Sequence, residues 1–326
     1  MKKLIGIITM GSALALASFT QQASASNELC LASTNDCTFV LLSTKVSKKT
    51  SELVSEVAIE TVATASNTKG SVQENAQESA NEIAIENDQL SQSASLIEES
   101  EMLLLINEVR AKQRLSPFST FKIANSLIAL ESKQIITAEQ VLTFDKEKYP
   151  VQAWWPSVWK LPEYNLASAF KFSMVAIFRQ MATDIGEETM DSYLTSFNYG
   201  NSDMSSGLDD FWLNGSLQIS AVEQVRFLQK MHQGQLPLSK HSIDTLEEVM
   251  LVETTDSYSL YAKTGAGKAN NQAKDSKAML GWYVGFVEND KGVHYFAFNF
   301  TRGSYAEMKA ARVEIARNHL KKAGVI

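Results

Sequence analysis

Pro117-Phe118-Ser119-Thr120-Phe121-Lys122-Ile123-Ala124-Asn125-Ser126 is the stretch on which the reading of this chain turns. Ser116-Pro117 marks a helix start, because proline fixes φ and its missing N–H costs nothing in a first turn. Residues 121–130 are apolar on nearly every side, which predicts a buried helix. Lys122 then lies one turn beyond Ser119, on the same face. Burial disfavours the charged ammonium and leaves a neutral amine, which can act as a base toward the serine or add carbon dioxide to become a carbamate. The competing reading is a lysine whose stem packs while its ammonium reaches water.

Ser-x-x-Lys occurs four times, at Ser66–Lys69, Ser119–Lys122, Ser157–Lys160 and Ser168–Lys171, so the spacing alone decides nothing. Context separates the four. Ser66 lies in a polar acidic segment, where a lysine stays solvated near a pKa of about 10.4. Ser157 follows a Pro-bounded, Trp-rich loop, and Ser168 falls within a helix whose start it does not mark. Only Lys122 is surrounded by apolar residues, Phe121, Ile123, Ala124 and Leu127.

A second element follows downstream. Lys263-Thr264-Gly265 comes directly after the strand-like Tyr258-Ser259-Leu260-Tyr261-Ala262. Glycine lets a substrate backbone approach closely, and the lysine sets a cation opposite a carboxylate. Other hydrolytic and nucleotide machineries lack their residues. There is no G-x-S-x-G, no H-E-x-x-H and no phosphate-cradling G-x-x-x-x-G-K-[ST]. His232, His241, His294 and His319 read as structural or surface residues, and no metal site is expected.

The chain has 326 residues, 44% of them apolar and 21% charged, with net charge −7. That balance gives no basic field for nucleic acid, and none is expected as a partner. Met1-Lys2-Lys3, the apolar residues 4–19 and Ala23-Ser24-Ala25 read as a secretory signal peptide over 1–25, with no transmembrane segment after cleavage. Export to an oxidising compartment, a bacterial periplasm, is the expectation. There Cys30 and Cys37 can close a short disulfide, or stay as two free thiols.

Residues 51–101 carry eleven acidic side chains against Lys69 alone, and no aromatic or proline. Such composition favours a solvated linker. The chain divides into a signal peptide (1–25), an N-terminal strand region (26–45), an acidic insertion (46–100) and a catalytic domain (101–326). Thr38-Phe39-Val40-Leu41-Leu42 and Met102-Leu103-Leu104-Leu105-Ile106 flank the insertion and read as strands. If they pair, the insertion hangs from a hairpin tip, where added length costs little. Helices are expected across residues 164–194, 221–231 and 306–322, and strands at 260–262, 281–288 and 294–300. The fold class is therefore α+β: an antiparallel sheet flanked by helices, joined to a helical lobe.

The motifs together resemble the class D, oxacillinase-type serine β-lactamases of the penicillin-recognising superfamily. Residues 117–126 are similar to that family's P-x-S-T-F-K-I-x-N-S signature. Ser173-Met174-Val175 is similar to its S-x-V, Tyr199-Gly200-Asn201 to its Y-G-N, and Phe211-Trp212-Leu213 to its F-W-L. Lys263-Thr264-Gly265 and Gly281-Trp282-Tyr283-Val284-Gly285 follow in the family's order. The resemblance implies a β-lactam substrate opened by Ser119, with Lys122 carbamylated and serving as base for acylation and deacylation. It implies that Trp212 bonds the carbamate and Val175 packs on it. Ser173 and Lys263 relay protons, and the N–H groups of Ser119 and Ala266 form the oxyanion hole beside Thr264 and Gly265. Arg312 is implied as the carboxylate-binding arginine, with Arg302 its competitor. No cofactor is implied beyond carbon dioxide or bicarbonate. A homodimer is left open, and the acidic insertion has no identified partner.

Phe118 stands where the family usually has alanine, and is expected to set a ring beside the site. The alternatives are a β-lactam sensor or penicillin-binding protein that holds the acyl group, a peptidoglycan carboxypeptidase or transpeptidase, and an envelope interaction module working through its acidic arm.

Overall fold

The structure is a computed structural model and describes residues 29–30, 36–45, 100–213, 215–269 and 277–326. The predicted signal peptide and residues 46–99 of the acidic segment lie outside the described residues, as does the Ser66–Lys69 pair. Six antiparallel strands form one sheet: β1 (Cys37–Lys45), β2 (Ser100–Ile106), β3 (Leu251–Thr254), β4 (Tyr258–Lys268), β5 (Met279–Asn289) and β6 (Gly292–Arg302). Their spatial order is β2-β1-β6-β5-β4-β3. β1 and β2 pair with Lys45 opposite Ser100, so the chain leaves and rejoins the sheet at one hairpin end.

The sheet has two cores. Val40, Leu42, Val284, Phe286, Tyr295 and Ala297 point into the helical lobe. Their neighbours Phe39, Leu41, Tyr283, Phe296, Phe298 and Phe300 point at Met308, Ile315 and Leu320 of the C-terminal helix. Burial on both faces is why the central strands read as near-continuous apolar runs rather than alternating ones. Each such side chain contributes roughly 1.5–3 kcal/mol when fully buried.

Among the described residues the helices are α1 (Glu108–Lys112), α2 (Lys122–Glu131), α3 (Leu166–Lys171), α4 (Val175–Ile185), α5 (Glu187–Phe197), α6 (Ala221–His232), α7 (Lys240–Met250) and α8 (Tyr305–Lys322). A capping box of Ser220 and Glu223 starts α6, and one of Asn165 and Ser168 starts α3. Ser168 is thus a helix-capping serine. None of these helices is long and apolar enough to cross a membrane.

Three elements were not expected from sequence, the short α1 and two others. α7 buries Ile243, Leu246 and Met250, but its polar first turn, capped by Ser239, hides that stripe. β3 is a four-residue edge strand with Leu251 and Val252 exposed. β4 also runs six residues beyond Ala262, so the Lys263-Thr264-Gly265 tripeptide lies inside the strand rather than after it.

Cys30 and Cys37 are joined in a disulfide. It holds the start of β1 near α8, where His319 Nε2 accepts the Cys30 N–H at 2.9 Å and its ring stacks on Phe39. Burial, with Lys322 nearby, pushes the His319 imidazole down to about 4 and keeps it a neutral acceptor.

Candidate active site

Ser119 lies in a 3-10 turn, Phe118–Phe121, that runs directly into α2. Lys122 Nζ donates to Ser119 Oγ at 3.0 Å. Lys122 has no exposed surface, and burial alone pushes its ammonium down to about 7. Its Nζ stands 4.9 Å from the centre of the Phe178 ring on α4. The competing reading, an ammonium in reach of water, does not hold here, and a neutral amine can take the serine proton. Lys160 and Lys171 of the rival pairs are exposed.

Ser173 occupies the bend between α3 and α4, with φ at +55°, a left-handed conformation that costs a serine energy. The bend aims its hydroxyl at Lys263, whose Nζ donates to Ser173 Oγ and to the Thr264 carbonyl, both at 3.1 Å. Lys263 is 4% exposed. Burial holds its ammonium well below the ordinary lysine range, and the Arg312 cation, like Lys122 when protonated, lowers it further. Val175 opens α4, one turn before Phe178.

β3 pairs with β4 only as far as Tyr261, so residues 262–267 form a sheet edge that no described strand covers. Register sorts the side chains there. Lys263, Gly265 and Gly267 lie opposite Val284, Trp282 and Leu280 and face the lobe, while Thr264 and Ala266 face the α8 side. A Cβ on Gly265 would stand 2.9 Å from the Pro117 carbonyl and 3.0 Å from Thr120 Cγ2, so glycine is what lets the nucleophile turn reach the strand. From α8, Arg312 donates to the Gly265 carbonyl at 3.0 Å, and its Nε is buried without a hydrogen-bond partner among the described residues. Arg302 instead binds Asp36 at 2.9 Å and lies over the Phe300 ring. Of the two arginines, Arg312 is the one that reaches the Lys-Thr-Gly strand.

Trp212 is fully buried, and its Nε1–H has no acceptor among the described residues. An orphaned buried donor costs about 1–3 kcal/mol, so a group that accepts from it is favoured. The ring is held by Phe121 and Phe211, with centroids 5.1 and 5.0 Å away. Tyr199 meets Phe121 edge-on, and the Trp212 carbonyl accepts the Phe118 N–H at 3.1 Å. Tyr199-Gly200-Asn201 is a clasp on this loop. Gly200 has φ +58°, and a Cβ there would strike the Gln218 carbonyl. Asn201 donates from Nδ2 to Ser216 O at 2.9 Å and accepts the Gln218 N–H at 2.8 Å.

Phe118 corrects an expectation. Its ring is 1% exposed and lies under the lobe face of β4, not at the rim of the site. The positive φ of +50° turns it inward, and Gly267 has no side chain to block it. Sequence reading also passed over Phe170, whose ring stands 5.4 Å from Lys263 Nζ, and Gln224. Gln224 is fully buried and donates to Thr120 Oγ1 at 2.9 Å; Thr120 in turn donates to the Pro117 carbonyl at 2.8 Å. A polar residue at a core position of α6 was the available signal. His232, His241, His294 and His319 all bond elsewhere. Among the described residues no three metal-ligating side chains are grouped to hold an ion.

This arrangement has relatives. Residues 45–321 match the penicillin binding protein transpeptidase domain. The β-lactamase OXA-48 of Klebsiella pneumoniae is 38% identical over 193 residues, 59% of this chain and 68% of its own length. The probable β-lactamase YbxI of Bacillus subtilis is 35% identical over 228 residues, 70% of this chain and 79% of its own. Among solved structures, the class D β-lactamase FUS-1 (OXA-85) of Fusobacterium nucleatum subsp. polymorphum superposes with a TM-score of 0.62 at 31% identity, covering 69% of this chain and 88% of its own. With a buried serine–lysine pair, a second lysine on that sheet edge and these relatives, the chain belongs to the penicillin-binding transpeptidase family and, within it, to the class D β-lactamases.

Proposed function

We propose that this protein hydrolyses β-lactams through an acyl-serine intermediate on Ser119. The observation that carries the reading is the 3.0 Å contact of a fully buried, readily deprotonated Lys122 with Ser119 Oγ, beside the orphaned Trp212 Nε1–H. Ser119 Oγ bonds to the lactam carbonyl carbon as its proton passes toward Lys122. The Ser119 and Ala266 N–H groups stabilise the oxyanion, an interaction worth roughly 10²–10³ in rate per donor. The C–N bond then breaks, and the Lys263–Ser173 pair delivers a proton to the departing nitrogen. Arg312 holds the substrate carboxylate, since a guanidinium fork suits two oxygens. Water attacks the ester, releases the opened product and restores Ser119.

Carbon dioxide fits the lysine. Its buried neutral amine is the form that adds carbon dioxide, and Trp212 Nε1 is a donor in need of an acceptor. As a carbamate, Lys122 supplies a carboxylate-type base to the serine and to the deacylating water. Trp212 and Val175 are the residues that hold it. The signal peptide read from the sequence supports export, and we place the enzyme in a bacterial periplasm.

The test is hydrolysis of a chromogenic cephalosporin in degassed buffer and with added bicarbonate. Repeated turnover that rises with bicarbonate is expected. One equivalent of colour followed by arrest supports the acyl-holding sensor instead, and turnover indifferent to bicarbonate removes the carbamate.

A further inference from the structure

We infer that Phe118 and Gly267 form a matched ring-and-gap pair that sets the distance between the two oxyanion donors, making Phe118 a positioning residue for both acyl-transfer steps. The inference rests on the proposed hydrolysis. Phe118 immediately precedes Ser119, and Gly267 immediately follows Ala266, so the pair brackets both donor N–H groups. A Cβ on Gly267 would fall on the ring atoms Cδ1, Cε1 and Cζ of Phe118, so the ring fills the space a side chain would occupy.

The contact completes a stepwise docking of the nucleophile turn on the sheet. Trp282 Nε1 on β5 donates to the Ser116 carbonyl at 3.0 Å. The Pro117 carbonyl rests on Gly265, and the Phe118 ring rests on Gly267. Three successive residues thus meet neighbouring positions of β5 and β4, whose register is fixed by Gly265 opposite Trp282 and Gly267 opposite Leu280. Phe118 holds a left-handed φ of +50°, costly for an aromatic residue, and tolerated because surrounding contacts over-determine it. A smaller side chain would remove the spacer and let the turn settle toward β4. A Cβ on Gly267 would push the two apart. Either change moves an oxyanion donor, and both steps are sensitive to such shifts because the donors must be preset for the charge that develops.

The experiment is a double-mutant cycle of Phe118→Ala, Gly267→Ala and both together, reading the acylation rate for a penicillin, the deacylation rate and the melting temperature. Each single variant is expected to slow acylation and deacylation together, roughly 10–100-fold each, within the range for a weakened oxyanion donor, because both steps place an oxyanion between the same two N–H groups. In the Phe118→Ala background, Gly267→Ala is expected to cost nothing further or to recover part of the rate, because its Cβ enters vacated space. Losses that multiply overturn the inference, as do single variants with wild-type acylation, or a fall in acylation that leaves deacylation untouched. If Phe118→Ala does not fold, Phe118→Leu takes its place in the cycle. Wild-type protein in the same assay separates the two claims. Absence of wild-type acylation overturns the proposed hydrolysis, and the melting-temperature coupling still tests the ring-and-gap contact on its own.

Discussion

In the proposed reaction Lys122 carries most of the chemistry, and its environment dictates the response to pH. Burial brings the folded-state pKa from 10.5 to about 7. Below that value the amine is protonated, and it can neither accept the Ser119 proton nor combine with carbon dioxide. The kcat/KM profile is therefore expected to rise with pH through an inflection near 7, and added bicarbonate is expected to move that limb to lower pH by trapping the neutral amine. A limb unmoved by bicarbonate contradicts the carbamate. Stability follows the same group. Between about pH 7 and 10.5 the unfolded lysine binds a proton that the folded one does not, so stability rises with pH across that window. Ser119 and Lys122 were legible in the sequence because an apolar helix around a lysine is a local pattern. Gln224 and Phe170 were not, because they come from distant elements.

The elements of the site are held by clasps that composition does not reveal. Tyr199-Gly200-Asn201 was recognisable as a motif, yet its work, fastening the loop that carries Trp212, depends on hydrogen bonds to Ser216 and Gln218. Asn201→Ala is expected to cost about 0.5–1.5 kcal/mol of stability, the usual net worth of a solvent-exposed hydrogen-bond pair. It should also lower activity at ambient carbon dioxide by roughly tenfold, with partial recovery in bicarbonate, because a shifted Trp212 holds the carbamate less well; loss of second-sphere support of this kind is typically 10–100-fold. Steady-state rates with and without bicarbonate check it. Loss that bicarbonate does not touch would mean that the clasp serves folding alone. The Lys263-Thr264-Gly265 segment was placed correctly in order but at the end of a strand. Its continuation to Lys268 depends on pairing with β5, a long-range contact that no local pattern encodes. α7 was hidden for a different reason, its polar first turn masking a sparse apolar stripe.

The whole molecule is a two-cored sheet with its nucleophile turn wedged between β4 and the lobe, and the α+β class was legible because strand-like runs lie at both ends of the sequence with helical ones between. The acidic insertion joins strand ends that already lie opposite each other, Lys45 and Ser100. Deleting residues 51–98 leaves 46–50 and 99 to close the hairpin, a short loop of ordinary kind. Hydrolysis is expected to stay within about threefold of the full chain, since closing a shorter loop changes the free energy little. Aggregation of the shortened protein would show that the insertion supports the fold.

The central claim, transient acylation of Ser119 released through Lys122, is tested most directly by intact-protein mass after mixing with excess penicillin. The wild type is expected to show an adduct on Ser119 that appears and then disappears as product exceeds enzyme many-fold. Lys122→Ala is expected to keep whatever adduct it forms, with turnover lowered by about 10²–10⁴, the usual contribution of a general base. A wild-type adduct that persists at one per chain, with product never exceeding enzyme, would contradict the account.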